Sequence, residues 1–113
     1  LLEVNNICVT CANRGGEPRA YLDALSGCPV GEIHLAGHAR VFWGKNEVLI
    51  DDHASVVSDP VWRLYEYAID RFGPVPSLIE WDKNIPPFET LLGEARKAER
   101  IAAARSANHA FAT

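Results

Sequence analysis

The chain has 113 residues with a formal net charge of -4, and it is 48% hydrophobic and 23% charged. Those proportions fit one small folded domain, or part of one, and exclude a disordered segment. No basic block, no apolar run of membrane-spanning length and no secretory signal is visible, so neither nucleic acid nor a membrane is expected as a partner, and a cytoplasmic location is expected.

In chain order, LLEVNNICVT is apolar and β-branched and predicts a first strand ending near the turn cluster Asn13-Arg14-Gly15-Gly16. Glu17-Pro18 opens a short helix with Tyr21, Leu22 and Leu25 inward and Gly27 at its end. VGEIHLAG is nearly continuous in apolar residues and predicts a second strand covered on both faces. VFWGKNEVLIDDH follows, two apolar runs around Gly44-Lys45-Asn46, and reads as a hairpin-like excursion. Ser58 or Asp59 caps the next helix, with Pro60 in its first turn. Val61, Trp62, Leu64, Tyr65, Ala68, Ile69 and Phe72 recur at helical spacing until Gly73. PVPSLIEWD predicts a third strand. Pro86-Pro87 then open a long helix that frays after about Ala104.

The order β-α-β-(excursion)-α-β-α predicts an α/β fold with parallel strands joined by right-handed crossovers. Three such units are too few for a closed eight-stranded barrel but suit its last portion. Residues 1–105 are expected to be the C-terminal part of one barrel domain, and 106–113 a frayed tail. Because the chain starts at Leu1 in strand-like sequence and contains no methionine, it is expected to be a piece of a longer protein.

Polar residues collect at one place in each unit: Glu3, Asn5 and Asn6 in the first strand, His34 and His38 ending the second, Asp51 and His53 closing the excursion, and Glu80 and Asp82 closing the third. Parallel α/β folds carry function at the carboxyl ends of their strands. Each residue has a bland reading: a loop histidine, a turn aspartate, a solvated strand end. On a strand, however, Glu80 and Asp82 face the same way, and two carboxylates on one face of an apolar strand need a cationic partner. Histidine with aspartate and glutamate is the ligand mix of zinc, manganese and non-haem iron. HLAGH is not the H-E-x-x-H metalloprotease motif, because Leu35 stands where its glutamate belongs. The three cysteines do not make a disulfide framework, and Cys8 and Cys11, as a lone C-x-x-C, read as one buried and one loop thiol. The residues alone lead to a piece of a metal-dependent α/β barrel.

The series LLEVNN, EIHLAGH, LIDDH, DPVW-x-LY and LIEWD-x-x-IP, from Leu1 to about Ala98, resembles the multinuclear non-heme iron-dependent oxidative enzymes. The resemblance implies a xylose isomerase-like TIM barrel, of which this chain is the last three strand-helix units. It implies two or three irons at the carboxyl end of the barrel and oxygen-dependent modification of cysteines in ribosomally made precursor peptides. It also implies a partner protein that binds the peptide leader. Carried over, His34 and Glu80 are iron ligands, Asp51 and His53 serve a further iron with Asn6 nearby, and Glu3 stands where the family usually has aspartate. Asp82 is then an acid/base or substrate-orienting group, and His38 supports the pocket mouth. The family draws further ligands from earlier barrel strands, so a missing N-terminal half-barrel is an expected partner and the isolated chain is expected to be inactive. Alternative readings are a metal-dependent sugar isomerase or endonuclease on the same barrel, and a non-catalytic interaction fragment.

Overall fold

The computed structural model describes the backbone of residues 1–112 and the side chains of residues 1–106. Its elements are β1 (Leu2–Glu3), α1 (Val4–Arg14), α2 (Pro18–Ala24), β2 (Ile33–Ala36), β3 (Ala39–Trp43), β4 (Asn46–Ile50), α3 (Asp59–Phe72), β5 (Ser77–Glu80) and α4 (Phe88–Ala112). The tail expected at 106–113 lies almost wholly outside the residues whose side chains are described.

β1, β2 and β5 form a parallel sheet in that order, with Glu3 opposite His34 and Ala36 opposite Glu80. Parallel pairing across long connections is what the strand-helix alternation predicts. Alternation along the strands splits the sheet into two faces. Leu2, Ile33, Leu35 and Ile79 point into the core, where Ile33 and Leu35 are fully buried. Glu3, His34, Leu78 and Glu80 share the opposite face, together with Glu32 two residues before His34.

The core lies between the sheet and the helices. α3 contributes Val61, Trp62, Leu64, Tyr65, Ala68 and Ile69 at helical spacing, all buried. It starts after Ser58 with Pro60 in its first turn and stops at Gly73, whose φ of +86° needs a residue without a Cβ. Tyr65 is fully buried, and its hydroxyl pairs with Ser77 Oγ at 2.7 Å, joining α3 to β5. Glu94 Oε1 accepts the Val57 N–H at 2.7 Å, tying the loop before α3 to α4.

The first expected strand is corrected. Only Leu2–Glu3 is extended, and Val4–Arg14 is helical. Val4, Ile7, Cys8 and Cys11 fall on the i, i+3, i+4, i+7 spacing of a helix face, and this packing outweighs the β-branched composition. Cys8 and Cys11 therefore share a helix face and do not point to opposite sides of a strand. Tyr21, expected inside, is half exposed, while Leu22 is fully buried. The excursion is an antiparallel hairpin, β3 with β4, closing from Ala39–Ile50 to Trp43–Asn46 around Gly44 at φ +65°.

Candidate metal centre

β2 ends in His34–Ala36, and the parallel register sets Glu3 and Glu80 on the strands at either side. His34 Nδ1 lies 3.2 Å from Glu3 Oε1 and 2.9 Å from Glu80 Oε1. His34 Nε2 is 2.8 Å from Glu32 Oε1, a contact that leaves Nδ1 turned toward the other two carboxylates. Both His34 Nδ1 and Glu80 Oε1 are buried without a hydrogen-bond partner among the described residues. Buried polar atoms are rarely left so. Two carboxylates and a ring nitrogen that converge closely without forming hydrogen bonds are the donor arrangement a cation satisfies.

A second group adjoins the first through Glu80. His53 Nδ1 lies 3.0 Å from Asp82 Oδ2 and 3.6 Å from Glu80 Oε2. On its other side His53 Nε2 is 2.8 Å from Asp51 Oδ1, yet it too is buried without a hydrogen bond. Asp82 is expected from the sequence as a strand residue on the Glu80 face. In the structure β5 stops at Glu80, and Asp82 is set by its own N–H donating to His53 O at 2.7 Å. Glu3, His34 and Glu80 form one set of potential ligands within mutual reach, and His53, Glu80 and Asp82 another.

The His53 backbone is held from both sides. Its φ is +53°, in the left-handed region that non-glycine residues seldom adopt. Its N–H donates to Gly37 O at 3.2 Å, and its carbonyl accepts from Asp82. Gly37 leaves the room for this: a Cβ there would collide with Ser55 and would lie 2.6 Å from the Val56 carbonyl oxygen.

Asn5 anchors the neighbouring aspartate. It is 1% exposed, at the start of α1, and its amide donates to Gly37 O at 3.0 Å and to Asp51 Oδ1. Its Oδ1 faces His38 Nδ1 at 2.8 Å, so His38 donates there. Asn6 donates to Asp51 Oδ2 at 3.2 Å. His38 thus braces Asn5, which with Asn6 fixes Asp51. From the sequence alone Asn5 is one polar residue among several without a role, and Glu32 stands outside the site. The signal for Glu32 was its spacing, two residues before His34 on the same strand face.

The site is electrostatically short of positive charge. Burial pulls His34 down, but the Glu32 hydrogen bond and the charges of Glu80 and Glu3 outweigh it and hold its pKa above the usual histidine value. Burial likewise opposes, and Asp51, Asp82 and Glu80 overcome, so that His53 is raised too. Glu3 is raised by burial and by the Glu80 charge. Protons are drawn to the places where a cation would sit. His38, by contrast, is lowered by burial and by Arg40. The donor types, the orphaned atoms and this charge deficit together fit a metal.

The parallel strands with donors at their carboxyl ends define the class, an α/β protein with a histidine-carboxylate site. The family model for RiPP precursor modification enzymes MbnB/TglH/ChrH matches residues 1–103, and the chain belongs to that family. Among its relatives, a UPF0276 protein of Acaryochloris marina is 46% identical over 99 residues, which is 88% of this chain and 34% of the relative. A UPF0276 protein of Bordetella bronchiseptica is 50% identical over 104 residues, covering 91% of this chain and 35% of the relative. One of Bordetella parapertussis is 52% identical over 95 residues, covering 83% and 33%. The chain spans about a third of the length of the curated relatives it matches.

Proposed function

We propose that the chain supplies the C-terminal three strand-helix units, residues 1–105, of a TIM-barrel enzyme that oxidatively modifies cysteines of a ribosomal precursor peptide at a centre of two or three irons. The observation that carries this is the convergence of Glu3, His34 and Glu80, with His53 and Asp51 adjoining, in which His34 Nδ1, Glu80 Oε1 and His53 Nε2 are buried and unsatisfied. Family membership supports peptide modification as the reaction class. The remaining ligands come from a preceding half-barrel, and a leader-binding protein presents the peptide.

In this reading His34, Glu3 and Glu80 hold one ion, and Asp51 with His53, through its Nε2, serves a further one, with Asn6 nearby. When bound, the irons supply oxygen-dependent one-electron oxidation. The chain's own residues do the rest. Glu32 keeps the His34 ring oriented, as carboxylates behind metal-binding histidines do. Asn5 and Asn6 hold Asp51 against His53. Asp82, 65% exposed at the mouth of the site, takes or orients the proton of an arriving thiol.

The test joins the chain to the N-terminal part of a UPF0276 relative, loads it with iron and incubates it with a cysteine-bearing precursor peptide in air. Loss of peptide mass or gain of oxygen at cysteine, seen by mass spectrometry and absent without iron, is the expected result. An iron-loaded protein that leaves every cysteine-bearing precursor unchanged contradicts the reading.

A further inference from the structure

A second concave site lies beside the donor groups, bounded by α1, the start of α2, the β3–β4 hairpin and the start of α3. Its cavity is about 370 Å³, inside the ~300–1,000 Å³ typical of ligand pockets. Arg19, Arg40 and Arg63 all line it, over an apolar floor that includes Leu49 and Leu64. The chain is acidic overall and has only 11 lysines and arginines, yet three of them gather at this one opening.

The positive charge there is only partly compensated. Arg40 pairs with Glu47 at 3.1 Å. Arg19 stacks over the Tyr67 ring at 5.1 Å and has no ion-pair partner among the described residues. Arg63 has no ion-pair partner among the described residues. Glu17, also on the rim, accepts the Arg19 backbone N–H as the cap of α2. One wall is His38, the residue that braces Asn5 and through it Asp51. An occupant of this cavity therefore touches the hydrogen-bond chain that positions the second donor group.

We infer that this arginine-lined cavity binds an acidic segment of the peptide substrate, its carboxylates on Arg63 and Arg19 and its apolar side chains on Leu49 and Leu64. The inference rests on the peptide-modifying reading and adds where, and through which charges, the peptide is gripped. Guanidinium–carboxylate pairs give directional, charge-assisted hydrogen bonds. An apolar floor beneath them selects a peptide over a bare anion.

Isothermal titration calorimetry tests it on the chain, and again with the chain joined to the N-terminal part of a UPF0276 relative, in chelator. The probes are a short peptide with alternating Glu and Leu and its Gln-for-Glu counterpart. The acidic peptide is expected to bind about tenfold tighter or more. Arg63→Gln should remove most of that preference, while Arg63→Lys keeps part of it and Arg100→Gln, on the far helix α4, leaves it intact. Equal binding of the two peptides, or a preference indifferent to Arg63→Gln, overturns the assignment. So does competition by glutarate or inorganic phosphate at concentrations where the peptide itself competes, which would mark a small-anion site. Metal content is counted separately on the same proteins. Bound metal without charge-selective peptide binding removes this inference and spares the metal centre. Charge-selective binding in a protein that never takes metal does the reverse.

Discussion

Asn5 carries more of the site than any other single residue outside the donor groups. Its amide is fully committed, to Gly37, Asp51 and His38. Asn5→Ala removes the partner of His38 Nδ1, a donor to Asp51 and one of the two donors to the Gly37 carbonyl, and is expected to cost about 2–4 kcal/mol, read as a lowered midpoint in urea unfolding. A variant as stable as the parent would show that Asn5 is not the anchor. Asp82→Asn is expected to keep the metal content and to slow cysteine modification about 100-fold or more, measured as turnover per bound metal. Undiminished turnover would remove Asp82 from the proton-transfer role. Cys8 behaves differently. Burial, with the nearby Cys11, pushes its thiol up to about 11. Below pH 9 the thiol is neutral folded and unfolded, and pH does not act on stability through it. Between about 9 and 11 the unfolded chain loses this proton while the folded chain keeps it, so stability falls as pH rises. At pH 8 a thiol alkylator is expected to label the exposed Cys28 first and Cys8 only on unfolding, as read by peptide mapping.

Among the elements, α3 was legible because its spacing, its proline and its glycine stop agree, and β2 because its apolar run is short and bounded. The hairpin announced itself by Gly44-Lys45-Asn46 between two apolar runs. α1 was not legible. LLEVNNICVT satisfies strand composition and helix spacing together, and contacts with the hairpin and α3, far away in sequence, settle it as a helix. That misreading hid the common face of Cys8 and Cys11. It did not hide Glu3, because the chain turns helical only after that residue. The convergence of His34, Glu80, Asp51, His53 and Asp82 was legible as strand-end chemistry. The bracing by Asn5 was not, since it depends on the backbone of Gly37. Gly37→Ala follows from the same geometry. The added methyl collides with Ser55 and Val56 and pushes away the loop that carries His53, with an expected cost of about 1–3 kcal/mol in thermal unfolding. An unchanged melting temperature would mean that the loop moves freely and does not hold His53.

At the scale of the whole molecule the fold is open. The radius of gyration is 14.5 Å and the extents are 50 × 34 × 19 Å, against about 13 Å expected for a compact domain of this length. Among the described residues β1 and β5 are the outer strands of the sheet with no further strand beside them, and Leu78 on the donor face is 48% exposed. At the hairpin tip Phe42 is 70% and Trp43 80% exposed. Unpaired edges and apolar patches of this kind favour association. The isolated chain is therefore expected to elute as associated species in size exclusion with light scattering, and to become monodisperse when joined to a relative's N-terminal part. A stable, fully active monomer of the chain alone would contradict this. No described helix is long and apolar enough to cross a membrane.

Metal stoichiometry decides whether the shared metal centre exists. The chain is expressed anaerobically with iron, alone and joined to the N-terminal part of a UPF0276 relative, and its metals are counted by mass spectrometry. Two or more irons per joined chain are expected, with fewer in the chain alone, and loss on His34→Ala or Glu80→Ala with the fold retained by circular dichroism. A folded joined protein that binds no metal, or whose metal is indifferent to both substitutions, would contradict it.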